Sequence, residues 1–209
     1  MHESQPSPIN TFTAMTTPRS ALFVIDIQKD LASDPKTQIP HAERIRRAGV
    51  DILSAVRGIE TNPKPVIVFV QHEESPDRGP LVKGSDPWKL VFENDPSKTN
   101  ERLVSKNQRD TFKSNPGLAD QLKSEGVEHI VAFGIQSECC VLETCKGALE
   151  AGFRVTILHG AHSTYDTETK TALQLEKVVE DELAALGVSV SPWESTIAEW
   201  KDSGDLVSV

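Results

Sequence analysis

Cys140 is the side chain best suited to covalent chemistry. It lies in Gly134-Ile-Gln-Ser-Glu-Cys-Cys-Val141, between an apolar run and a helical stretch. With Ser137 as N-cap, Cys140 falls in the first helical turn, where free N–H groups and the helix dipole favour a thiolate. The alternative is a small core hydrophobe, as free cysteines commonly are; Cys139 and Cys145 carry the same pair of readings. Asp26 interrupts the apolar run Ala21-Leu-Phe-Val-Ile-Asp-Ile27, and a carboxylate buried there is costly unless paired. Lys106, directly after Leu103-Val-Ser105, is the cation available to pair with it and to lower the thiol pKa. A purely structural ion pair remains the other reading of these two. His159 and His162 also follow an apolar run, and a papain-like arrangement would make one of them the base for Cys140. That arrangement leaves Asp26 and Lys106 without a role.

Positioning these residues takes an alternation of short apolar runs and longer amphipathic stretches. Strands are expected at Ala21–Ile27, Val66–Val70, Leu103–Ser105, His129–Phe133, Arg154–Leu158 and Val188–Val190. Helices are expected at His41–Glu60, Leu118–Ser124, Cys139–Ala151 and Thr167–Leu186. Strands that alternate with helices predict an α/β fold, doubly wound and Rossmann-like, a three-layer sandwich around a six-stranded, mainly parallel sheet. In such a sheet ligands bind beyond the carboxyl ends of the strands, where strand order reverses. Asp26, Lys106 and Cys140 all fall at such ends. Glu73–Asn100 has no regular period, and a connection that long commonly carries function. Within it Trp88 and Phe92 are candidate pocket walls, with satellite core as the competing reading.

The chain has 209 residues, 37% hydrophobic and 25% charged, which fits a soluble globular protein. Its formal net charge of −9 is the wrong sign for a nucleic-acid footprint. From Asp166 onward ten acidic side chains face three basic ones, the pattern of a solvated face. No apolar run reaches a membrane span of about 18–20 residues. Residues 1–18 read as a flexible tail without an apolar signal region, and 19–209 as a single domain. Three cysteines within seven positions suit free thiols in a reducing, cytoplasmic compartment. A thiol redox protein, with Cys139 or Cys145 resolving Cys140, is a different functional class that the same residues allow. An idle binding scaffold is another.

From Ser20 to Val190 the chain resembles the isochorismatase-like cysteine hydrolases, a group that includes nicotinamidases and other small-amide hydrolases. The resemblance is carried by Val24-Ile-Asp-Ile-Gln28, by Lys106 with Phe112 six residues on, by Gly134–Val141 and by Gly152-Phe-Arg-Val155. It implies a catalytic triad of Asp26, Lys106 and Cys140 that hydrolyses a small amide through a thioester, without a cofactor. It also implies a non-proline cis peptide between Ile135 and Gln136, and an oxyanion hole formed by the backbone N–H groups of Gln136 and Cys140. Substrate contacts are expected from Phe112, Gln136, Trp88 and His72, and assembly as a homodimer or homotetramer. Metal-dependent nicotinamidases carry Asp-x-His and a further His after the second strand. This chain has Val70-Gln-His-Glu-Glu-Ser-Pro76 instead, so no metal is expected, His72 and Glu73 being too few ligands. Isochorismatases proper cleave a vinyl ether and lack the nucleophilic cysteine. Cys140 therefore favours amide chemistry, with the vinyl ether reaction as the alternative.

Overall fold

A computed structural model describes residues 19–206; the tail reading of residues 1–18 lies outside them. The first apolar run forms β1 (Arg19–Ile25), and its lack of alternation has a simple cause. Ala21, Phe23 and Ile25 face one hydrophobic cluster while Leu22 and Val24 face another. A strand covered on both faces has no solvent side to mark with polar residues. The same holds for β2 (Val66–His72), where Ile67 and Phe69 point one way and Val66, Val68 and Val70 the other.

The other strands are β3 (Glu101–Lys106), β4 (Val127–Ile135), β5 (Arg154–Ser163) and β6 (Ser189–Pro192). All adjacent pairs are parallel, and the strand order is β3-β2-β1-β4-β5-β6. The chain builds outward from β1 to β3, then returns to the other side of β1 with β4. That reversal puts the carboxyl ends of β1 and β4 at the switch point of the sheet.

The longer helices include α2 (Ala42–Arg57), α4 (Leu118–Ser124), α5 (Leu142–Glu150), α6 (Ala172–Ala185) and α7 (Trp193–Ser203). Two short ones, α1 (Lys29–Ala32) and α3 (Thr111–Ser114), follow the site-bearing ends of β1 and β3. The helix expected from Cys139 instead starts at Leu142, and Ser137–Val141 forms a π-helical turn before it. The Ser137 hydroxyl does not cap this turn, because it is bonded to His162 Nδ1 at 2.8 Å. Trp193 and Trp200 are buried in the cluster beneath α2, so they complete this chain's own core.

Gly134 is dictated by crowding. Its φ is 141°, and a Cβ there would overlap the carbonyl oxygen of Ile25 on the neighbouring strand. Only glycine lets β1 and β4 approach this closely at the point where both lead into the site.

Candidate active site

Asp26 is the first residue beyond β1. It is the one non-glycine residue with positive φ among the described residues, at 49°. Asp tolerates the left-handed region better than most residues, and holding one there costs on the order of 1 kcal/mol. Its backbone N–H donates to the Val70 carbonyl at 3.1 Å, which ties the turn to β2. The turn aims the carboxylate at Lys106, the last residue of β3. Lys106 Nζ lies 2.7 Å from Asp26 Oδ2, and both side chains are cut off from solvent, at 0% and 1% exposure.

The same ammonium donates to Cys140 Sγ at 3.1 Å and to the Gln108 carbonyl at 3.1 Å, and approaches His72 Nδ1 at 3.2 Å. Asp26, Lys106 and Cys140, from three different strand ends, therefore meet. With a positive charge facing Nδ1, the lone pair is best placed on that nitrogen, which assigns His72 as the neutral tautomer with its proton on Nε2. Burial, with Lys106 second, holds the His72 pKa below the ordinary histidine value, against the pull of Asp26.

The thiol does not match the expectation of a preformed thiolate. Burial, and then the Asp26 carboxylate, push its pKa well above the ordinary cysteine value, and Lys106 only partly offsets them. Burial also opposes the Lys106 charge, but Asp26 and Cys140 outweigh it and hold the lysine pKa high. The resting site is thus an ammonium–carboxylate pair beside a neutral thiol. Apart from Lys106, no described donor occupies the Asp26 carboxylate, which leaves it able to take the thiol proton.

Asp26, His72 and Cys140 place a carboxylate oxygen, an imidazole nitrogen and a sulfur within 4.8 Å of one another. This spacing would suit a metal, but Lys106 Nζ contacts all three residues and supplies the cation itself. The donor set does not fit a metal while that ammonium is present.

A cavity of about 330 Å³ opens over the cluster, lined by Asp26, His72, Gln136 and Cys140. The peptide bond between Ile135 and Gln136 is cis. Two expected contacts are elsewhere. Phe112 is in the core, stacked on Phe23 at 5.7 Å and tilted against Phe153 at 5.9 Å. Its backbone N–H donates to Asp110 Oδ1 at 2.8 Å, the cap of α3. Trp88 packs against the core and lines a separate hollow with Gln71 and Leu90. Its carbonyl accepts from Gln28 Nε2 at 2.7 Å and Gln71 Nε2 at 2.9 Å, which anchors this part of the loop to the segment after β1 and to β2. Phe92 packs over Gly49 of α2. From the long Glu73–Asn100 segment it is Glu74, Pro80 and Leu81 that form cavity wall.

The sequence reading did not single out Asp30, Arg109 or Tyr165, which also line the cavity. The run Asp26-Ile-Gln-Lys-Asp30 carried a signal, since a second acid four residues beyond a strand-end acid falls on the same sheet edge. Nothing in sequence brings Tyr165 there. Gln28 has a supporting role: its side chain donates to the His72 carbonyl at 3.0 Å and accepts from the His72 N–H at 3.0 Å, tying β1 to the end of β2.

His159 and His162 belong to another network. His162 is fully buried, with Nδ1 on Ser137 and Nε2 3.0 Å from Glu180 Oε1. His159 is exposed, with Nδ1 2.7 Å from the same oxygen. His162 is thus engaged at both nitrogens, so the papain-like arrangement is not formed. Cys145 is enclosed in the core with its pKa pushed up to about 12 by burial, out of reach as a resolving thiol. Cys139 lines the cavity beside Cys140.

The isochorismatase domain model matches residues 20–187. Over 151 residues, 71% of this chain and 56% of the other, the sequence is 34% identical to a streptothricin hydrolase of Streptomyces noursei. The chain spans about half the length of the curated relatives it matches first, 56% and 50%. Among solved structures, an isochorismatase-like hydrolase from Alkaliphilus metalliredigens superposes with TM-score 0.73 at 24% identity, covering 88% of this chain and 97% of that one. A cysteine hydrolase from Pseudomonas syringae pv. phaseolicola gives TM-score 0.75 at 16% identity over 89% and 93%. Both likenesses are of fold.

Proposed function

The chain belongs to the isochorismatase family, and on that footing we propose that it hydrolyses a small non-peptide amide, with Cys140 as nucleophile, Asp26 as acid and base, and Lys106 holding the pair. The observation that carries this reading is the Lys106 ammonium, 2.7 Å from the Asp26 carboxylate and 3.1 Å from the Cys140 sulfur, behind a cavity that Asp26 and Cys140 line.

Substrate enters over a neutral thiol. Asp26 takes the thiol proton as the sulfur attacks the carbonyl carbon, so the thiolate exists only as the C–S bond forms. The charge on Lys106 stabilises that moment. The backbone N–H groups of Gln136 and Cys140 receive the oxyanion. Collapse breaks the C–N bond, and Asp26 returns its proton to the departing amine or ammonia. Water then attacks the thioester and gives its proton to Asp26. The acid leaves, and the proton goes back to sulfur. His72 presents Nε2–H to the bound amide. No step requires a cofactor. A cytoplasmic enzyme acting on a small molecule, assembled as a homodimer or homotetramer, goes with this reading.

The test is ammonia release from a panel of small primary amides, with mass spectrometry of protein quenched in mid-reaction. Turnover by the wild type, loss of at least 10³-fold in Cys140→Ala, and an acyl adduct on the Cys140 peptide are expected. Undiminished hydrolysis by Cys140→Ala would reject the covalent route and return the vinyl ether reaction to first place.

A further inference from the structure

Asp30 is one acid of the cavity wall that the mechanism leaves unused. Its backbone is fully engaged: the N–H donates to the Pro87 carbonyl at 3.1 Å, and the carbonyl accepts from Thr37 Oγ1 at 2.7 Å. The residue is only 7% exposed and lines the cavity. Among the described residues, no hydrogen bond or ion pair reaches its carboxylate. With no described protein donor on it, this carboxylate at the cavity wall is free to pair with a positive or hydrogen-donating group of a bound molecule.

The surroundings narrow what that partner is. Glu74, on the same cavity wall, already accepts from the Leu81 N–H at 3.0 Å. Tyr165 donates its hydroxyl to the Thr37 carbonyl at 2.5 Å, so the phenol hydrogen is taken. Burial, then the nearby Asp30 charge, raise the Tyr165 pKa, consistent with a carboxylate facing the ring. Lys29 next door is bound to Asp86 at 2.9 Å. Lys106 is committed to Asp26, and Arg109, the one cationic side chain on the cavity wall, is exposed.

We propose that Asp30 is the counter-charge for a cationic group, an ammonium or guanidinium, carried by the amide substrate, with Asp30 as a specificity-determining residue. This rests on the amidase reading for where the amide sits, with its carbonyl over Cys140 and its charged end at Asp30. At about 330 Å³ the cavity is near the lower end of ligand pockets, which suits a short cationic amide.

The test compares 4-aminobutanamide with pentanamide, a neutral amide of matching length, by calorimetric titration of Cys140→Ala protein, in which no turnover intervenes. The cationic amide is expected to bind at least tenfold more tightly. Adding Asp30→Asn should bring the ratio of the two affinities to about one. The ratio with Asp30 intact is itself decisive, so the inference stays exposed even if the double variant fails to fold. Equal or weaker binding of the cationic amide, a preference that survives Asp30→Asn, or binding of neither amide would overturn it. The same amides are then offered to wild-type protein for hydrolysis. A tenfold binding preference without turnover would reject the amidase reading and leave the Asp30 assignment standing.

Discussion

At the scale of residues, Asp26 plays two opposed parts. In the proposed mechanism it takes the Cys140 proton, and its charge also helps to push the thiol pKa up. The two parts separate in Asp26→Asn. Turnover should fall by about 10²–10⁴-fold with the acid–base function gone. Iodoacetamide labelling of Cys140 at pH 7 should quicken severalfold, because the sulfur then faces Lys106 without the opposing carboxylate. Peptide mapping after timed labelling checks it, and slower labelling would mean that Asp26 deprotonates the thiol even without substrate. Asp26, Lys106 and Cys140 were legible as candidates because each is a polar intrusion at the end of an apolar run. The protonation state of the thiol was not, since helix position and a neighbouring lysine both argued for thiolate. Desolvation and the facing carboxylate appear only once the chain is folded.

At the scale of elements, the helix that follows Cys140 and the loop that follows Lys106 are locked together. Gly147 of α5 sits against Asp110, the cap of α3, and a Cβ there would overlap Asp110 Oδ1. Gly→Ala inside a helix ordinarily gains up to about 1 kcal/mol. Here Gly147→Ala should instead destabilise by about 1–2 kcal/mol, because it displaces the cap. Urea unfolding measures the sign, and a stabilised variant would show that the cap moves aside freely. The strands were readable from apolar runs, and α4 from its spacing. The π-helical turn at Ser137–Val141 was not, because a good N-cap residue was read as a cap while its hydroxyl had a buried partner 25 positions away. Phe112 and Trp88 were misplaced for a similar reason. An aromatic ring in a loop has the same local sequence whether it turns to the core or to a cavity.

At the scale of the whole molecule, stability should depend on pH through groups far from the cavity. His129 on β4 is buried, bonded at 2.9 Å to Thr156 of β5, and its pKa is lowered to about 4, chiefly by burial and then by Arg154. The unfolded chain binds a proton near pH 6.5 that the folded one refuses, so folding loses up to about 3 kcal/mol as pH falls from 6.5 to 4. Glu180 adds to the loss lower down. Burial disfavours its charge, but His162 and His159 outweigh that and hold its pKa below the ordinary glutamate value. Its contribution, present above the unfolded pKa, disappears as pH drops through the folded one. Urea midpoints at pH 7, 5.5 and 4.5 should fall steadily, with a shallower decline in His129→Asn. A flat profile would show that these side chains do not set acid stability. The doubly wound sheet was legible from the alternation of runs and helices, whereas the burial of Trp193 and Trp200 depends on the return of α7 to α2, which no local pattern encodes. The lysine at the centre of Asp26, His72 and Cys140 has one more consequence, for protein engineering. It is a tethered plug in a ready-made chelate. Lys106→Ala would unstop it, exposing oxygen, nitrogen and sulfur donors within 4.8 Å of one another. The variant chain would then be a cadmium or zinc receptor, visible as thiolate-to-cadmium absorption in the ultraviolet that the parent protein lacks.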